Sequence, residues 1–247
     1  MPAGEVPSSL SPMGGIAGLA RIGPIWCRGR RGESVPMGDT RNPVFNDVPA
    51  AVVWLTIAIA ACGVAAELFA PFRDLAFGWG AFFPVFAFDR PGAAPAIAPW
   101  FLHVFVHGSW MHLVMNTLAL LAFGAASARP FGRGVKASAG FLLFFFACAL
   151  AGVFAQYLVD PVSQIPMVGA STGISGCFAA AGWARGGLRG MLSLALPWLL
   201  INIVLALAGT QMWIAIAWAA HIGGLVAGAV LYPLFLAAFR SGSRPRF

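Results

Sequence analysis

The sequence predicts an all-α membrane protein with six transmembrane helices and a membrane-embedded first loop. Three observations predict it. Hydrophobic residues make up 60% of the chain and charged residues 9%, against about 25% charged in soluble domains. Apolar stretches long enough to cross a bilayer recur along the chain. The basic residues fall between or beside those stretches, not inside them. In a soluble protein a net charge of +7 would point to nucleic acid. Here membrane topology accounts for it, so the expected partner is the lipid bilayer and no nucleic acid.

Residues 1–48 are rich in Gly, Pro, Ser and Arg and read as a disordered basic cytoplasmic tail. Met37 is a second candidate start, and no stretch before Asp47 has the apolar run of a secretory signal. A membrane domain over 49–240 follows, then a cytoplasmic tail over 241–247. Its spans are placed at 49–68, 105–128, 137–158, 169–184, 190–208 and 212–239. Residues 69–104 are full of Phe, Trp and Pro and hold no clean spanning helix. They read as an amphipathic loop lying in the interface. Cys27, Cys62, Cys148 and Cys177 have no metal-ligand spacing, and no disulfide framework is expected.

Charge sets the orientation. Of the fifteen basic residues, only Arg73 and Arg90 fall in loops of the opposite side, with Glu67, Asp74, Asp89 and Asp160. The positive-inside rule then puts both termini in the cytoplasm, and spans two, four and six run inward. At a rise of about 1.5 Å per residue, Ser171 and Asn116 lie roughly 20 Å from the inner edge. His112 lies roughly 25 Å and His221 roughly 28 Å from it. Three separate spans thus carry polar residues into one layer in the outer half of the bilayer.

Ionisable residues inside a membrane are costly and usually functional. Taken alone, Ser171 reads as one of the small residues that line helix interfaces, and Asn116 as an interhelical hydrogen bond. Taken together the residues read differently. A serine becomes a nucleophile when a base takes its proton, and His221 is the obvious base. No acidic residue falls at that depth, so the pair reads as a dyad. His112 and Asn116, four apart, share a helix face and can donate to an oxyanion with the Ser171 N–H. That N–H stands at a helix start, where it has no intrahelical partner. His103 and His107 read as structural. Gly224 and Gly228 form a small-xxx-small motif that would pack His221 against span four.

The chain resembles the rhomboid intramembrane serine proteases. The His103, His107, His112 and Asn116 pattern, Gly169-Ala170-Ser171, and Ala220-His221-Ile-Gly-Gly224-Leu-Val-Ala-Gly228 match that family's three signatures in order, over roughly 50–240. The resemblance implies a six-span rhomboid-like bundle; the expected setting is a bacterial inner membrane, and the charge distribution puts the active site on the extracytoplasmic side. It implies an endopeptidase cleaving single-span transmembrane substrates, with no cofactor and no metal. Ser171 would be the nucleophile, His221 the base, and His112 and Asn116 the oxyanion donors. The sequence leaves the oligomeric state open.

Some positions depart from the family pattern. Thr172 stands where Gly commonly follows the nucleophile. Ser175 stands where some relatives carry a Tyr packed on the catalytic His, and within Gly173-Ile-Ser175-Gly176 it is a rival nucleophile. Ala98-Pro99 replaces a Trp-Arg pair of the first loop. Inactive rhomboid-like binding proteins typically lose the serine or the histidine, and this chain keeps both. A transporter with a midplane site would show internal repeats, which are absent. Hydrolysis needs water, so residues 160–168 are expected to dip inward beside a polar cavity. Substrate would enter laterally past the uncharged span five.

Overall fold

A computed structural model describes residues 26–28, 34–36, 48–89, 92, 94–212 and 217–241. The chain divides into two units, Met1–Asn42 and Pro43–Phe247. In the first, β1 (Trp26–Arg28) pairs antiparallel with β2 (Ser34–Pro36), Cys27 opposite Val35. Apart from Val48, the rest of the predicted disordered tail, Met37 included, lies outside the described residues, as do residues 242–247.

The second unit is helical: α1 (Ala50–Leu68), α2 (Ala70–Gly80), α3 (Ala98–Leu102), α4 (Trp110–Phe131), α5 (Val135–Val159), α6 (Ser171–Met212) and α7 (Trp218–Phe239). Five of these (α1, α4, α5, α6 and α7) are long and apolar enough to cross a membrane. The two predicted spans 169–184 and 190–208 both fall within α6, which breaks at Gly186 and Gly187. Gly187 has φ +59° and ψ −145°, a conformation open essentially to glycine alone. The chain doubles back there. Gly182 lies against the Gly190 and Met191 backbone, and Phe178 stacks on Trp198 with ring centroids 4.6 Å apart. α6 is therefore a helical hairpin with a first and a second limb.

The second predicted span starts later than expected. Ser109 accepts a hydrogen bond from the His112 N–H at 3.2 Å and caps α4. His103–Phe105 becomes a separate 3-10 turn. The loop before it holds α2, a 3-10 turn at Pro84–Phe86 and α3, and no spanning helix. Trp100 fastens it, donating its indole N–H to the Ala87 carbonyl at 3.1 Å and meeting Phe82 edge-on. Phe82 and Met167 exchange backbone hydrogen bonds of 3.0 and 2.7 Å. The loop thereby fixes the segment that leads into α6.

Close contacts fix the helix directions. Ser241 N–H donates to the Phe131 carbonyl at 2.7 Å, and the Tyr232 hydroxyl to the Ser127 carbonyl at 2.9 Å. Trp183 donates its indole N–H to the Ala229 carbonyl at 2.9 Å. α4, the first limb of α6, and α7 thus run parallel, and Arg129, Arg133, Lys136, Arg185, Arg189 and Arg240 lie toward one end. Ser171 and His221 lie toward the other.

α5, α6 and α7 meet through small residues. Gly224 lies against the Thr172 carbonyl, Gly228 against the Gly176 backbone, and Gly152 faces the Ala220 carbonyl. This is the packing read from Gly224 and Gly228 in the sequence. Lipid offers no hydrophobic drive for helix association, so backbone-to-backbone closeness supplies the dispersion contact. Gly228→Val should lower stability by at least the about 1–3 kcal/mol of ordinary overpacking, since backbone cannot yield as a side chain can. Gly78→Ala in α2, where an added Cβ meets nothing within 4 Å, should leave the melting temperature unchanged or raise it. Thermal unfolding of both variants in detergent checks this; equal melting temperatures would refute the packing account.

Candidate active site

α6 begins abruptly at Ser171. Gly169 just before it has φ +106°, a region that disfavours side chains, and its N–H donates to the His103 carbonyl at 2.8 Å. A Cβ there would lie 2.6 Å from His112 Nε2 and 3.6 Å from Asn116 Nδ2. Glycine is therefore required twice over, by conformation and by room. The His112 ring and the Asn116 amide close around the backbone that leads into Ser171. Asn116 spends one amide hydrogen on the His112 carbonyl at 2.9 Å, which leaves a second to donate.

His221 lies in the first turn of α7. Its Nε2 is 2.8 Å from Ser171 Oγ. Its Nδ1 is 2.7 Å from Asn202 Oδ1, on the second limb of α6. Asn202 Nδ2 in turn donates to the Trp198 carbonyl at 2.9 Å. Ser171 and His221 are half-buried, whereas Asn202 is fully buried. The geometry provides what nucleophilic attack by serine needs: an oxygen, an imidazole nitrogen within hydrogen-bond reach, and a group behind the ring that orients it.

The rival serine is differently placed. Ser175 is fully buried, donates its hydroxyl to the Ser171 carbonyl at 2.7 Å and accepts the Trp198 indole N–H at 3.0 Å. Both of its contacts are structural. The ring beside His221 is that of Trp198, with its centroid 5.9 Å from that of the imidazole.

His103 and His107 are buried beside the site. His103 Nδ1 is 3.1 Å from the Pro99 carbonyl, and Nε2 is 3.1 Å from the Thr172 hydroxyl. A carbonyl only accepts, so Nδ1 carries the proton and Nε2 accepts from Thr172. Burial agrees, pulling the His103 pKa down to about 4 and keeping the ring neutral. The unusual Thr172 is thus a tie between the first loop and the start of α6. His107 packs edge-on against His112 with ring centroids 5.0 Å apart, and neither of its ring nitrogens has a hydrogen-bond partner among the described residues.

The structure thus brings Ser171 to His221, and His112 and Asn116 to the backbone two residues before Ser171. Asn202 escaped the sequence reading, which looked for an acidic third member. A signal was present: Asn202 is a lone amide in the run Leu199-Leu-Ile-Asn202-Ile-Val-Leu205, where a polar side chain is rare and usually functional. Among the described residues, no cluster of three or more His, Cys, Asp or Glu could hold a metal ion.

The rhomboid domain model matches residues 95–238, a stretch that holds every residue named at the site. The rhomboid protease GluP of Bacillus subtilis (strain 168) is 32% identical over 133 residues, 53% of this chain. The match spans 24% of that relative's length. With the family model covering more than half of its residues, this multi-pass membrane protein belongs to the rhomboid family.

Proposed function

We propose that the protein is a serine-type intramembrane endopeptidase that cleaves single-span transmembrane proteins within the bilayer. The observation that carries this reading is the 2.8 Å approach of Ser171 Oγ to His221 Nε2 at the ends of two apolar helices. A relative bearing the name of rhomboid protease supports it. His221 takes the Ser171 hydroxyl proton as the oxygen attacks the scissile carbonyl. The Ser171 N–H, His112 Nε2 and the free Asn116 amide hydrogen stabilise the oxyanion. His221 then gives the proton to the leaving amine, and a water activated by the same ring hydrolyses the acyl-enzyme.

The proposed topology has six crossings, each limb of α6 making one, in a bacterial inner membrane. The gathering of basic residues toward one end supports cytoplasmic termini and a site open to the extracytoplasmic side. Lateral entry past the second limb of α6 fits its apolar outer face, where Leu196, Leu200 and Val204 are exposed.

Ser171→Ala should abolish cleavage of a single-span reporter, while Ser175→Ala, which removes two structural hydrogen bonds, should only slow it. Mapping the residue labelled by a fluorophosphonate probe provides the direct check, and label on Ser175 would overturn the assignment. Asn116→Ala should lower kcat by about 10²–10³, the usual cost of one oxyanion donor, with activity still measurable. Unchanged kcat would remove Asn116 from the site. A phosphatase reporter fused after Phe247, which works only outside the cytoplasm, should be inactive, and an active fusion would reverse the topology.

A further inference from the structure

Asn202 has no part in the reaction as usually drawn for a serine and a histidine, yet it is the most deeply buried polar group that touches the base. Its side chain is fully buried in a limb whose outer face meets lipid. An amide there must satisfy its polar atoms or carry a desolvation cost. Both of its polar atoms are engaged, Nδ2 on the Trp198 carbonyl and Oδ1 on His221 Nδ1.

Those two contacts settle each other's orientation. The Trp198 carbonyl can only accept, so the amide nitrogen must face it. The amide oxygen therefore faces His221, and an oxygen there requires a proton on Nδ1. The lone pair is then left on Nε2, which points at the Ser171 hydroxyl at 2.8 Å. Trp198 is itself held, by its bond to Ser175 and its stacking on Phe178. Ser175 closes the path by donating to the Ser171 carbonyl. Five hydrogen bonds thus form a closed circuit, Ser171 to His221 to Asn202 to Trp198 to Ser175 and back to Ser171, with every donor pointing the same way round.

We propose that Asn202 is a positioning residue that holds His221 in the Nδ1–H tautomer and aims its Nε2 lone pair at Ser171. The proposal deepens the reading of His221 as general base and rests on it for its kinetic consequences. The tautomer itself is a property of the resting protein. Asn202 does here what a carboxylate does in soluble triads, and it does so without placing a charge in the bilayer. Its amide cannot turn over to present the wrong atom without losing the Trp198 carbonyl.

The test compares Asn202→Leu, which has no acceptor, with Asn202→Asp, which restores an oxygen. In the intact protein in detergent at pH 8, 15N spectra of labelled histidine should assign the His221 proton to Nδ1. Asn202→Leu should give Nε2–H or a mixture, and kcat should fall at least about tenfold with KM little changed. The ceiling is the roughly 10⁴-fold that a wrong tautomer costs in a soluble triad. Asn202→Asp should keep Nδ1–H and recover most of the lost kcat. A purely structural role predicts the opposite order, because a buried acid disrupts an apolar limb more than leucine does. A wild-type ring protonated on Nε2, or an Asn202→Leu variant that keeps both Nδ1–H and full kcat, would overturn the proposal. If Asn202→Leu does not fold, the wild-type assignment and the Asn202→Asp spectrum decide it. Absence of cleavage and of Ser171 labelling in the wild type would sink the protease reading alone, since the ring assignment does not depend on turnover.

Discussion

The contact on which the rest depends is the seating of α7 on the first turns of α6. Gly224 rests on the Thr172 carbonyl and Gly228 on the Gly176 backbone. His221 lies one turn before Gly224, and Ser171 one residue before Thr172. Bringing the two backbones together therefore brings the two side chains to 2.8 Å. A methyl group at either glycine would collide with backbone, not with a side chain that could move aside. In lipid no hydrophobic force compensates for lost closeness, so the site inherits its geometry from the absence of side chains a few residues away.

Much of this was legible in the sequence because the bilayer limits the choices. Only apolar helices or closed barrels cross it, so hydropathy alone locates α1 and α5 to within two residues and the end of α7, which starts at Trp218, six residues after the expected 212. Depth counting places Ser171, Asn116, His112 and His221 in one layer without reference to any contact, because helix rise is fixed. The same count would have found Asn202, which lies thirteen residues after Arg189 and so about 20 Å from it. A search for a carboxylate does not reach it, because its side chain is neutral. Less legible was the relation between spans four and five. Arg185 and Arg189 bracket a break, but the sequence does not show that two residues suffice for it. The φ of Gly187 and the fit of Gly182 against Gly190 do. The start of α4 was set by Ser109 as a cap, a local hydrogen bond that an apolar average smooths away.

The two positions at which the resemblance leads one to expect other residues have a physical account. Thr172 spends its hydroxyl on His103, whose carbonyl also holds Gly169. The start of α6 is thereby tied at two points to the turn before α4. Ser175 spends its hydroxyl inside the hairpin. Trp198 comes across from the second limb to lie beside His221. Each hydroxyl is satisfied within the protein, as burial in a low-dielectric medium demands.

The serine at position 175 also bears on where the His221 ring gets its support. A ring at that position would stand on the same limb as Ser171 and move with it. Here Trp198 and Asn202 both stand on the second limb, and that limb joins the first only through the turn at Gly186–Gly187 and the contacts across the hairpin. Ser171 and Asn202 are thus carried on two limbs of one hairpin, with His221 on a third helix. The bond from Trp198 to Ser175 and the stacking on Phe178 are what make the two limbs act as one support. Removing a contact between the limbs therefore bears on the orientation of His221 even though it touches neither reacting atom. That is the expected behaviour of a hydrogen-bond circuit whose members are coupled, where deleting one bond costs more than that bond alone.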